Sequence, residues 1–172
     1  VGAKVVFCIR IRDSVGLSGR VRRILNEKLR LKNAYEGVFL AYTPETRKLL
    51  QLVEPWVLYG GAPSKATIAD LLARRGHGLD KTAKRRRIPL TDNTLIEGAN
   101  LSPKLICMED LVEELSQGYE SDVFEKASKF LAPFRLTCPT TRFEQQKLNE
   151  NSSTRIYGDV GQEMETYIRT ML

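Results

Sequence analysis

The sequence holds a single histidine, a single tryptophan and three cysteines in 172 residues. His77 has no second imidazole and no Cys/His cluster beside it in sequence, so it lacks the partners for a metal site or a proton relay. Cys8, Cys107 and Cys138 are odd in number, widely spaced and outside any CxxC pair, which argues against a disulfide framework and a zinc site and for a reducing compartment. No apolar run reaches the roughly 18 residues of a membrane span. The opening VGAKVVFCIRIRD is too short and too interrupted by arginine for a signal peptide, and reads as a strand. GGAPSK (60–65) lacks the Walker spacing, so it is a turn into a capped helix rather than a phosphate loop. Glu109, Asp110, Glu113 and Glu114 cluster where a helix opens, a place carboxylates occupy for its dipole. The expectation is a protein with no catalytic residues, cofactor, metal, small-molecule substrate or membrane partner.

What the chain does have is positive charge, placed unevenly. Residues 1–87 hold 19 Lys and Arg against 7 Asp and Glu, whereas residues 88–172 hold 8 against 14, for an overall charge of +6. Such asymmetry suits a polyanion met through one face.

KVVFCIRIR (4–12) alternates with period two, Val5, Phe7, Ile9 and Ile11 on one side and Val6, Cys8, Arg10 and Arg12 on the other. One side meets a core; the other delivers two arginines to an edge of the fold. Ser18 caps a helix whose stripe is Val21, Ile24, Leu25 and Leu29. EGVFLAY (36–42) is a second strand, Thr43-Pro44-Glu45 opens a helix buried through Leu49, Leu50, Leu52 and Val53, and WVLYG (56–60) is a third strand. The expected fold is α+β: a ferredoxin-like β-α-β-α-β core over 1–60, with helices on one face of a small sheet, and a C-terminal helical elaboration. Residues 61–87 add a helix capped by Ser64 and stopped by a left-handed Gly76, then a basic loop. The acidic part, 88–172, packs on the core within one domain. It comprises a short helix capped by Thr91 or Asp92, a strand-like KLICM (104–108), helices over EDLVEELSQG and DVFEKASKFLAPF, an irregular stretch over 137–160, and a terminal helix through Met164, Tyr167, Ile168 and Met171.

The basic residues are informative as a set. Arg10 and Arg12 at the strand end, Arg20, Arg22, Arg23, Lys28 and Arg30 on the first helix, and Arg74, Arg75, Lys81, Lys84, Arg85, Arg86 and Arg87 around the loop converge if that loop folds beside the sheet. Such a face rewards RNA phosphates through counterion release, and arginine adds forked hydrogen bonds and stacking on unpaired bases. Gly76 and Gly78 let backbone approach a sugar-phosphate surface, and His77 between them stacks or donates a hydrogen bond. RNP aromatics, a GXXG clamp and zinc knuckles are missing, so backbone and shape recognition fits better than sequence reading.

RIRDSVGLSGRVRRILNEKLRL, LVEPWVLYG, ARRGHG with RRRIPLTDNTLIE, LICMEDLVEEL and FLAPFRL, in that order, resemble the eukaryotic L-seven branch of the L-thirty family of large-subunit ribosomal proteins. The resemblance implies a β-α-β-α-β core with two helices on one side, no enzymatic activity, and contact with large-subunit ribosomal RNA through the arginines and the loop already named. It also implies neighbouring large-subunit proteins as partners and a cytosolic ribosome with a nucleolar assembly stage. Two departures stand out: eukaryotic members usually carry a lysine-rich N-terminal helix before the first strand, and the first helix has one extra residue near NEKLRL, enough to bulge its end. A ribosome-assembly paralogue, which binds precursor RNA, is the alternative; it lacks the RGxG turn and the basic run before TDN that this chain has. Another alternative, a ferredoxin-like ligand-binding module, calls for an apolar pocket with convergent polar groups. An RNA-modifying enzyme needs an acid/base pair that the sequence does not offer.

Overall fold

The computed structural model describes residues 4–13, 16–81, 84, 86–118, 121–139 and 156–172. Strands β1 (Val5–Arg10), β2 (Glu36–Ala41) and β3 (Val57–Gly61) alternate with α1 (Gly19–Arg23) and α2 (Pro44–Leu52), the β-α-β-α-β order expected. The fold continues through α3 (Lys65–Arg75), a hairpin of β4 (His77–Leu79) and β5 (Arg87–Pro89), then α4 (Asn93–Gly98), α5 (Met108–Gln117) and α6 (Ser121–Phe130). It ends with β6 (Phe134–Arg135), β7 (Gly158–Gly161) and α7 (Met164–Met171).

β1 is the central strand of a five-stranded sheet ordered β6-β2-β1-β3-β7, antiparallel to β2 and β3, while β7 runs parallel to β3. A strand enclosed on both faces needs apolar residues at every position but its end, and this is the composition of VVFCIR. Val5, Phe7, Ile9 and Ile11 join one core with Ile68 and Leu71 of α3, Leu111 and Leu115 of α5, Phe124 of α6 and Met164 and Ile168 of α7. Val6 and Cys8 join the other with Ile24, Leu25 and Leu29 of the first helix and Leu50 and Val53 after it. The parity is as expected. The first two helices share one face, and the later helices cover the opposite one. Phe7 and Phe39, paired across β1 and β2, meet edge to face with centroids 4.7 Å apart. Leu52, expected in the core, is 45% exposed.

Local signals explain most helix ends. Ser18, Thr43, Ser64 and Asp92 each accept a backbone N–H inside the helix they precede. The first helix passes after Arg23 into a π-helical turn, Ile24–Lys28, in which the Leu29 N–H reaches the Ile24 carbonyl five residues back. One extra residue is absorbed in that wider turn while Ile24, Leu25 and Leu29 stay in the core.

Other expectations are corrected. Gly76 ends α3 in an extended conformation, φ −71°, not a left-handed one. KLICM forms no strand; residues 103–104 turn and α5 begins at Met108. The basic loop is an antiparallel hairpin at its stem, with His77 opposite Pro89 and Leu79 opposite Arg87. Within 137–160, residues 158–160 belong to β7, and 140–155 lie outside the described residues. Among the described residues no helix is long and apolar enough to cross a membrane.

Candidate nucleic-acid interface

The end of β1 is held by its own arginine. Arg10 is 1% exposed. Its Nε donates to the Arg12 carbonyl at 2.8 Å, and its Nη1 to the carbonyls of Leu31 and Lys32 at 2.9 and 2.7 Å. Burial lowers its pKa, with Asp13 and Glu36 raising it and Arg22 lowering it further. Glu36, also buried, accepts from the Lys32 and Asn33 amides at 3.0 and 3.2 Å and so closes the turn into β2. Arg10 was expected at the edge of the fold; it lies inside, bracing the segment that carries Arg12 and Lys32.

Arg30 has a comparable setting. Its backbone is left-handed, φ 60°, and its guanidinium donates to the carbonyls of Ser128 at 2.7 Å and Leu131 at 3.2 Å, where α6 runs out of helical partners. Arg87, on the return strand of the hairpin, donates to the Pro133 carbonyl at 2.9 Å, and the Ala132 N–H donates to the His77 carbonyl at 2.8 Å. Residues 128–133 are therefore gripped from two sides, by the loop after the first helix and by the hairpin. Burial lowers the pKa of Arg87, as does Arg135, while Glu36 opposes them. Arg87 holds the residue before β6, Arg135 of β6 pairs with Glu36 of β2, and β2 neighbours β1, so the hairpin and the end of β1 lie toward the same edge of the fold.

The remaining candidates divide by exposure. Arg20, Arg22, Arg23, Lys28, Arg74, Lys81, Lys84 and Arg86 are exposed, and Arg12, Arg75, His77 and Arg87 are half-buried. Lys81 donates to the Ala99 carbonyl at 2.7 Å and Arg75 to the Thr137 hydroxyl at 3.1 Å. His77 Nδ1 lies 3.1 Å from the Arg75 carbonyl. Arg85 lies outside the described residues. Gly76 and Gly78 are buried, which gives their lack of a side chain a packing reason. A Cβ on Gly76 would sit 2.2 Å from the Leu72 carbonyl oxygen, and one on Gly78 would sit 2.6 Å from the Phe130 ring. Two exposed cations at this edge, Lys32 and Arg135, were missed. Arg135 sits on a two-residue strand with no periodic signal, and only its pairing with Glu36 brings it beside Arg87.

Between the hairpin and α4 lies an apolar cavity of about 400 Å³. Among the described residues no group of His, Cys, Asp and Glu has the arrangement of a metal site.

Fold and site together define an α+β protein with a cationic edge held rigid by buried arginine. Residues 6–57, from β1 to the first residue of β3, match the family Ribosomal protein L30p/L7e. The chain is 35% identical to the large ribosomal subunit protein uL30 of Neurospora crassa over 169 residues, which is 98% of this chain and 65% of that protein. It is 39% identical to uL30 of Yarrowia lipolytica over 80% of this chain and 52% of that one, and 38% identical to uL30 of Sus scrofa over 77% and 51%. The chain spans about half to two thirds of the length of these relatives. It belongs to the L30p/L7e family of ribosomal proteins.

Proposed function

We propose that the chain is a non-enzymatic constituent of the large ribosomal subunit that binds ribosomal RNA through the cationic edge and abuts neighbouring subunit proteins, in the cytosolic ribosome after a nucleolar assembly stage. The observation that carries this reading is the joining of the first helix and the hairpin at residues 128–133, with exposed cations on both elements. In it, Arg20, Arg22, Arg23, Lys28, Arg74, Lys84 and Arg86 face phosphate, joined by Lys32 and Arg135, while Arg10 and Arg30 hold the backbone that positions them and Arg12, with its Nε and Nη2 buried, lies behind them. Held cations lose little entropy on meeting a duplex or a folded RNA surface, and they release condensed counterions as they do so. The test is sedimentation of the tagged full-length protein. Co-migration with translating polysomes is expected. Restriction to nuclear large-subunit precursors would assign it instead to the assembly paralogue, and absence from both would end the ribosomal reading.

A further inference from the structure

We propose that the cavity between the basic hairpin and α4 receives a single unpaired nucleobase of RNA, a reading that rests on the proposed RNA contact and extends it from phosphate to base. The walls are Leu79 and Ile88 from the two hairpin strands, Leu95 from α4 and Phe130 from α6, all half-buried around one space of about 400 Å³. That is within the roughly 300–1,000 Å³ typical of small-ligand sites and ample for one base. Gly78 lines it too, and its missing side chain leaves room for the Phe130 ring against the hairpin.

The surroundings select the occupant. Lys84 and Arg86 are exposed on the hairpin whose strands form two of the walls. Lys81 lines the cavity and is tied to the Ala99 carbonyl at 2.7 Å. An apolar space on a hairpin that also carries exposed cations matches a chain that alternates anionic links with flat, weakly polar rings, and single-stranded RNA is such a chain. Asp80, on the wall, disfavours a phosphate inside the cavity. The base therefore enters, and its phosphates stay outside with Lys84 and Arg86. An apolar side chain from a protein neighbour would fill the space equally well but would leave the cations unmatched.

The test compares a short oligoadenylate with an abasic ribose-phosphate oligomer of equal length, titrated by fluorescence anisotropy against the full chain over a salt series. The Ile88 and Leu95 methyl resonances are followed in parallel. The oligoadenylate is expected to bind about tenfold more tightly, in line with stacking of one base, and to move both methyl signals, while the abasic oligomer moves neither. Gly98→Leu should erase the difference and leave the salt slope unchanged. Gly98 lines the cavity, a Cβ there meets nothing within 4 Å, and its φ is outside the left-handed region. If Gly98→Leu fails to fold, the two oligomers on the unaltered protein decide alone. Equal affinities with unmoved methyls would overturn base capture and leave the phosphate reading standing; no binding by either oligomer would overturn both. Methyl shifts produced by an apolar peptide and by neither oligomer would make the cavity a protein-docking site and sink the proposal.

Discussion

Replacing Arg10 with methionine is expected to remove about 3.5–5 kcal/mol of folding stability and to leave the salt dependence of RNA binding intact. Methionine keeps much of the length and apolar bulk, so the loss comes from hydrogen bonding rather than from a large cavity. The bond to the Leu31 carbonyl is fully buried, and a bond to a charged donor in that setting contributes about 1.5–3 kcal/mol. The bonds to the Arg12 and Lys32 carbonyls are only partly buried, so water replaces some of what is lost and each counts for about 1 kcal/mol. The total is a large share of the roughly 5–15 kcal/mol that holds a domain folded. Equilibrium unfolding in urea measures it as a lower midpoint at unchanged slope. Arg86→Gln, at an exposed position, should do the reverse. Its stability should stay within about 0.5 kcal/mol, while the slope of log K against log salt should flatten by about 0.7–0.9. If Arg10→Met unfolded at the unaltered midpoint and flattened the salt slope instead, the interior assignment of Arg10 would be refuted.

Arg30→Ala loses the contact with the end of α6 but keeps a strained left-handed backbone, whereas Arg30→Gly loses the contact and relieves the strain. Glycine is therefore expected to be more stable than alanine by about 1 kcal/mol in the same urea assay, and the opposite order would contradict the strain argument. Gly78→Ala brings a methyl into the Phe130 ring and should cost about 1–3 kcal/mol, with part recovered in the double variant carrying Phe130→Leu; strictly additive losses would disprove the clash. Hydrogen bonds from Ser64 and Thr67, both at 2.6 Å, lower the pKa of Glu165. A depressed carboxylate stabilises the fold fully above its ordinary value of about 4.3 and ceases to as pH falls through the lowered folded-state value. Glu165→Gln should thus lower the melting temperature at neutral pH and converge on the unaltered protein in acid, giving a shallower acid-side decline, which a series of melts from neutral to acidic pH would check.

Where the sequence was legible, one residue's neighbours in the chain decided its environment. The alternation of β1 assigned Val5 and Val6 to opposite cores because period two admits only one parity. Ser18, Thr43 and Ser64 announced their helices because capping is a contact within a few residues. The π-helical turn over Ile24–Lys28 has no such local signal; the expectation of a bulge there came from the resemblance to the family. Legibility ended where distant segments decide. Phe134–Arg135 and Gly158–Gly161 are too short to show a period, and they become strands only because edges of β2 and β3 are open to them. Gly76 escapes a left-handed turn because the chain leaves α3 directly into a hairpin strand. The arginines were the hardest to sort: no local pattern separates Arg10 and Arg30, which carbonyls far along the chain draw inward, from Arg22 and Arg86, which remain outside.

The long reach of that sheet has a bearing on how the chain is made. β1 to β3 come from the first 61 residues, yet Leu58 pairs with Gly158, and the face carrying Phe7 and Ile9 is covered by helices that begin at Lys65 and end at Met171. At translation rates of about 5–20 residues per second, the N-terminal strands leave the exit tunnel several seconds before the segments that cover them. One face of the nascent sheet stands bare and apolar for that interval, and its β3 edge has no partner. Slowed translation of the second half should therefore raise aggregation of the newly made protein more than slowed translation of the first.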